Sequence, residues 1–281
     1  MNELIRLGSL PQGCLPSLDT TFDTASSYFE SLAELHIMHL RNQRNDAIDS
    51  ADDCRRKFVA RCLFRKLARE RKLTDRWASF ENGPFKLWCD DFRPGNVLLN
   101  KDSKITGVVD WEFSYAAPVE FSYAPPWWLL IEKPEYWPTD DGLEDWCREY
   151  KCRLQTFLKA MINREDEAIR KGQLKENQRL SGPMRESWES GEFWIAYAAR
   201  KNFAFDAIYW QKIDSRFFGP TRCSDTADAW KERPEYLDDE ERGDMERLVV
   251  QKLEEMKSRV LAWDPDEYTL SHIDIAKKKE K

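Results

Sequence analysis

Read for the spacing of its apolar positions, the chain is largely helical with one short β interval near its middle. Ser27-Tyr28-Phe29-Glu30 has the form of a capping box, in which hydroxyl and carboxylate satisfy each other's free backbone donors. Tyr28, Phe29, Leu32, Leu35, Met38 and His39 then fall on one helical face. A second helix is predicted to open at Ser50-Ala51-Asp52-Asp53, to bury Cys54, Phe58, Cys62 and Leu63, and to end near Leu73, before a loop at 77–83. Leu143 to Ile169 forms a long amphipathic pattern. Ser190 is placed to cap a helix whose Phe193, Ile195, Tyr197, Phe203, Phe205, Ile208 and Trp210 point in every direction, as in a central helix. The last helix is expected from about Asp238 to Trp263, with Met245, Leu248, Val249, Met256 and Val260 as its buried stripe.

Between these helices the period changes. Phe85 to Trp88 is a short apolar run, and Val97-Leu98-Leu99 and Ile105-Thr106-Gly107-Val108-Val109 read as two strands joined by the turn at 100–104. Pro118, Pro125, Pro126, Pro134 and Pro138 forbid regular structure over most of 118–138, yet aromatics at 123, 127, 128 and 137 call for burial. That stretch is predicted as a loop packed onto the core.

Composition narrows the function classes. With 281 residues, 41% of them hydrophobic and 12 Trp, the chain buries a substantial core and is not disordered. Its net charge of -7 argues against an electrostatic grip on nucleic acid or on an anionic membrane. The longest apolar run, Trp127 to Ile131, is too short to span a bilayer, and the N-terminus has no secretory pattern, so the expectation is a soluble cytoplasmic protein. Seven scattered cysteines without a CxxC pair give little support to a zinc site or a disulfide framework. His36 and His39 stand three apart on a helix, but with no third ligand beside them they read as core or groove residues.

The chemistry is concentrated in Leu87-Trp88-Cys89-Asp90-Asp91-Phe92-Arg93-Pro94-Gly95-Asn96, followed fourteen residues after Asn96 by Asp110-Trp111-Glu112. Phosphoryl transfer asks of a protein a carboxylate that orients the acceptor hydroxyl and oxygen ligands that hold Mg²⁺ against the phosphates. Asp91, Asn96 and Asp110 supply such a set: Pro94 and Gly95 shape a tight loop with Asp91 and Asn96 at its ends, and the hairpin returns Asp110 beside them. The bland reading is a turn whose Asp and Asn bond their own backbone, with Asp110 as a local cap. Glu112 reads equally as a secondary metal contact and as a solvent-facing side chain, Arg93 equally as a phosphate contact and as a surface ion pair. Cys89, with no His near it in sequence, reads as a packed thiol.

The segment resembles the H-x-D-x-x-x-x-N catalytic loop of the aminoglycoside phosphotransferase and choline kinase-like family, and Val108 to Glu112 resembles its I-D-W-E metal motif. The likeness extends through 116–137 and 188–219 to fungal members. It implies an α+β, mostly helical fold: a protein kinase-like C-terminal lobe with a small β-hairpin, over 26–263, after an irregular segment at 1–25 and before a flexible charged tail at 264–281. It implies Asp91 as the catalytic base, Asn96 and Asp110 as Mg²⁺ ligands, ATP as phosphate donor and a small-molecule hydroxyl as acceptor. Two departures stand in the motif, where Cys89 replaces the His that supports the loop and Asp90 replaces a Gly. About 25 residues precede the first helix, and they carry neither a Gly-rich loop nor a strand-borne Lys, so the N-terminal, phosphate-covering lobe is expected to be missing. Two functions follow: a phosphotransferase that is inactive as an isolated lobe, or a non-catalytic pseudoenzyme or truncated gene product acting as a helical binding module. An unrelated helical scaffold is disfavoured, because the hairpin has no place in a helical array.

Overall fold

The computed structural model describes residues 10–17, 19–137, 142–223 and 227–261. Pro138, Trp263 and the tail at 264–281 lie outside the described residues. The described residues are mostly helical with two small antiparallel β pairs, an α+β fold. It divides into two compact units, one formed from 1–18, 34–63 and 227–281, the other from 19–33 and 64–226.

The first unit takes its helices from the second half of α1 (Ala25–Asn42), from α2 (Ala51–Arg69) as far as Leu63, and from α9 (Asp239–Lys257). Ser50 starts α2 as expected, its hydroxyl accepting from the Asp53 N–H at 3.1 Å. Cys54, Phe58, Cys62 and Leu63 are buried on it. α2 stops at Arg69, although the buried Leu73 continues its apolar pattern into the following turn. Asp238 and Glu241 form a reciprocal cap on α9, at 2.7 and 3.1 Å. Met245, Leu248 and Val249 are buried, but α9 ends at Lys257, so Val260 is exposed and the expected stripe closes on Leu261 instead. Lys252, on the same face, is also buried; its ammonium donates to the Gln43 carbonyl at 2.9 Å and to Glu255 at 2.8 Å, which is how a lysine joins an apolar stripe.

The second unit contains α1 up to Ala33, the end of α2 from Phe64, the β pairs, α3 (Val119–Tyr123), α4 (Gly142–Arg170), α5 (Ser181–Ser190) and α6 (Glu192–Arg200). α7 (Phe205–Ile208) continues through a π turn at Tyr209–Ile213 into α8 (Asp214–Phe218). Several expectations are corrected here. The cap of α1 is Thr24 rather than Ser27: the Ser27 N–H donates to the Thr24 hydroxyl at 3.1 Å, while Glu30 pairs with Arg69 at 3.0 Å. Ser190 opens no helix, because it is the last residue of α5, where its hydroxyl donates to the Ser187 carbonyl at 3.4 Å. The break falls at Gly191, whose φ of 84° is open to a residue without Cβ. The helix expected from there on is interrupted after Arg200, which leaves Phe203 42% exposed while Trp210 and Phe205 are buried.

The Pro-rich stretch is more regular than its prolines suggest. Pro118 precedes a short helix, α3, all five of whose residues are buried. The remainder is fixed by side chains of an aromatic core. Tyr150 and Trp146 stack at 4.4 Å, with Trp188 4.7 Å from Tyr150 and Phe193 5.3 Å from Trp188. The polar tips of this cluster face the loop: Tyr150 donates to the Pro126 carbonyl at 2.8 Å, Trp146 to the Glu132 carbonyl at 3.0 Å, and Tyr197 to the Glu135 carboxylate at 2.8 Å.

On α3, Glu120 is 4% exposed and neither carboxylate oxygen has a hydrogen-bond partner on another residue. Burial, reinforced by the charges of Glu81 and Glu192, pushes its carboxyl up to about 8. A group neutral in the folded state and ionised in the unfolded state from its ordinary value of 4.5 costs stability progressively as pH rises between those two values.

Two outcomes are expected. By denaturant titration, Trp210→Ala costs about 3–5 kcal/mol, whereas Phe203→Ala at its exposed site costs under about 1 kcal/mol. In a pH series of the same titration, Glu120→Gln matches the wild type near pH 4.5 and gains on it up to pH 8, by a margin on the order of 4 kcal/mol. Parallel pH curves for the two proteins would show that Glu120 is ionised in the folded state.

Candidate active site

Two antiparallel pairs, one nested inside the other, build the site. The outer pair is β1 (Lys86–Cys89) with β4 (Ser114–Ala117), in the register Trp88 to Tyr115 and Cys89 to Ser114. The inner pair is the expected hairpin, β2 (Val97–Leu99) with β3 (Ile105–Val108), in which Val97 faces Val108. β4 was not apparent in the sequence, since Ser114-Tyr115-Ala116-Ala117 lacks a β-branched run. Because the pairs are nested, the segments 90–96 and 109–113 leave the end of the outer pair together and enter the inner pair together. Two backbone bonds close the junction, Asp90 N–H to Phe113 carbonyl at 3.2 Å and Val109 N–H to Asn96 carbonyl at 2.9 Å.

The junction brings together the three residues singled out by the sequence. Asn96 is buried, and its amide nitrogen donates to both the Asp91 carbonyl at 2.7 Å and the Asp91 carboxylate at 2.9 Å. Asp91 is held on its other oxygen by Arg93 Nε at 2.8 Å, so Arg93 is an ion-pair partner of Asp91. Asp110 directly follows the residue bonded to Asn96. Its backbone is left-handed, with φ 61° and ψ 53°, a conformation Asp tolerates better than most residues but at some cost. Its side chain is exposed and has no hydrogen-bond or ion-pair partner among the described residues, and the same is true of Glu112. The Cys89 thiol donates to the Asp110 carbonyl at 3.7 Å, a weak bond of the kind expected to support this loop.

The arrangement suits a hard cation better than a soft one. Among the described residues no three His, Cys, Asp or Glu side chains stand together as a metal-binding group, and the junction offers two carboxylates and one amide. The Asn96 amide nitrogen is committed to Asp91, which leaves its oxygen as the atom it could offer a cation, and the Asp110 carboxylate is exposed and unpaired among the described residues. A site of few oxygen ligands is what Mg²⁺ takes when phosphates and water complete its shell.

The residue that sequence reasoning passed over is Asp90. Its carboxylate accepts from Trp88 Nε1 at 2.9 Å, from the Tyr115 hydroxyl at 3.1 Å and from Arg200 at 3.4 Å. Arg200, the last residue of α6, has its guanidinium 4.7 Å from the Trp88 ring centroid and 4.8 Å from that of Phe121. Burial pushes the Asp90 carboxyl up, but Arg200 and the Trp88 and Tyr115 donors outweigh it and hold it below the ordinary carboxylate range. Asp90 thus ties the first residue of the loop to α6. Trp88, Asp90 and Tyr115 lie close enough in the β pairing to have been found once β4 was known; Arg200, 110 residues away, has no local signal.

Residues 21–156 match the model of the phosphotransferase enzyme family, APH, which is just under half of the chain. The chain therefore carries an aminoglycoside phosphotransferase-like segment across the whole of this junction. The match ends inside α4, so the likeness expected through 188–219 lies beyond it. No curated protein and no solved structure matches the chain.

Arg200→Ala removes both the cation beside Asp90 and the guanidinium that packs on Trp88 and Phe121, and is expected to destabilise the second unit by about 1–2 kcal/mol in denaturant titration. Hydrogen exchange of residues 89–96 should rise in the same variant; unchanged protection there would show that the loop is fixed without α6.

Proposed function

We propose that this chain provides the acceptor-orienting and metal-holding half of a phosphotransferase site, acting on a small-molecule hydroxyl. The observation that carries the reading is the Asn96 clasp: its side-chain amide holds Asp91 while its backbone carbonyl accepts from the Val109 N–H, so one buried residue sets the base and the strand end that bears Asp110. In this reading Asp91 accepts the hydrogen bond of the acceptor hydroxyl through the oxygen shared with Asn96, while Arg93 holds its other oxygen. Asn96 and Asp110 would hold Mg²⁺, which when bound with ATP neutralises and aligns the transferring phosphate. Asp110 reaches that role through its strained backbone, which turns an unpartnered carboxylate outward at the strand end.

A second reading rests on the same loop. Both oxygens of Asp91 are already engaged, by Arg93 and by Asn96, as in a self-contained turn that supports binding without turnover.

The two are separated by calorimetry of the 281-residue chain with Mg²⁺ and ATP, beside Asp110→Ala. The proposal expects weak heats that Asp110→Ala abolishes, and no measurable transfer by the chain alone. Micromolar binding lost in the variant would make the chain a self-sufficient kinase, and equal heats from both proteins would remove the metal role of Asp110 and favour the binding module.

A further inference from the structure

Away from the junction, two cavities of about 540 and 310 Å³ lie along α4 and share Gln155, Leu158 and Arg185, so they form one continuous trough. From Cys147 to Asn163 the trough follows α4 for roughly 24 Å at 1.5 Å per residue. Its volume is that of a small-molecule site. No residue of the 86–117 segment lines it, and its α5 and α6 residues fall outside the family match, so neither the phosphotransferase reading nor the family accounts for it.

The lining is segregated. Leu154 and Leu158 of α4 are buried and, with the half-buried Trp188 of α5, form an apolar floor. Lys151 and Lys159 stand on the α4 side and Arg185 on the α5 side. In a chain of net charge -7 whose surface cations are commonly ion-paired, these three have no hydrogen-bond or ion-pair partner among the described residues. Lys212, also on the lining, is neutralised by Glu144. Glu189 is the one carboxylate lining the trough among the described residues, so the local charge stays positive. Unpaired cations on both sides of an apolar channel are complementary to an anion that carries an apolar body, the cations attracting the head and the floor removing the body from water.

We propose that the trough between α4 and α5 binds an amphiphilic anion, a carboxylate or phosphate head on a linear apolar chain, held at its head by Lys151 and Arg185. The proposal is independent of the reading of the Asp91 loop.

The test is calorimetry of the full chain with decyl phosphate, decanoate and decyltrimethylammonium, each below its micelle concentration, at two ionic strengths. The expected result is saturable, stoichiometric binding of the anions that weakens with salt, no binding of the cation, and a preference between the two anions that identifies the head group. Because Lys151 and Arg185 are exposed, the Lys151→Ala/Arg185→Ala protein should melt as the wild type does without ligand, yet bind the anions about tenfold more weakly. Equal binding of anion and cation, unchanged affinity in the double variant, or no saturable binding of either anion would overturn the proposal.

Discussion

The hydrogen bond from the Val109 N–H to the Asn96 carbonyl is the constraint on which the site depends. Without it the inner hairpin would still form, since Val97 to Val108 needs only its own turn, but Asp110 would be tied to the loop that carries Asp91 only by the weak Cys89 thiol bond to its carbonyl and by the Asp90–Phe113 bond beyond. The bond works because a second strand pair encloses the first. Once Cys89 pairs with Ser114, the two intervening segments have one place to go, and Val109 comes to bond Asn96, 13 positions before it. Asn96 then reads both sides of the junction, with its side chain on Asp91 and its backbone on Val109. A buried amide satisfied in this way is rigid, since any rotation would strand a polar group in a dry environment.

The two departures from the family motif acquire physical meaning in this frame. Cys89 keeps a weak thiol bond to the Asp110 carbonyl in the place where an imidazole would make a stronger one. Asp90, where a Gly would carry no side chain, gathers an indole, a phenol and a guanidinium around its carboxylate. The loop that is held less firmly from beneath is therefore held from the side, by the end of α6. The arrangement links the match at 21–156 to a helix outside it, and Arg200 lies against two aromatic rings of the matched part, Trp88 and Phe121.

Much of this was legible in the sequence wherever the signal was local. The hairpin followed from β-branched runs around a polar turn, α2 and α4 from their apolar stripes, and the three candidate residues from their spacing around Pro94 and Gly95. The losses came where tertiary contacts overrode local rules. Ser190 has the chemistry of a cap but stands before Gly191, whose left-handed backbone ends one helix and begins the next. Phe203 has the composition of a core residue but falls in the break after α6. β4 is a strand because β1 needs a partner, and the Pro-rich segment is ordered by hydroxyl and indole donors from α4, the helix that follows it. No window of sequence around those residues contains that information.

The central claim is that Asn96 and Asp110 form one cation site at the nested junction. Amide NMR of the chain titrated with Mn²⁺, whose unpaired electrons broaden nearby signals, tests it directly. The account predicts that broadening begins at 95–97 and 109–111 together, is displaced by excess Mg²⁺ and disappears in Asp110→Ala. Broadening that begins elsewhere on the chain, or that persists at 109–111 in the variant, would contradict it.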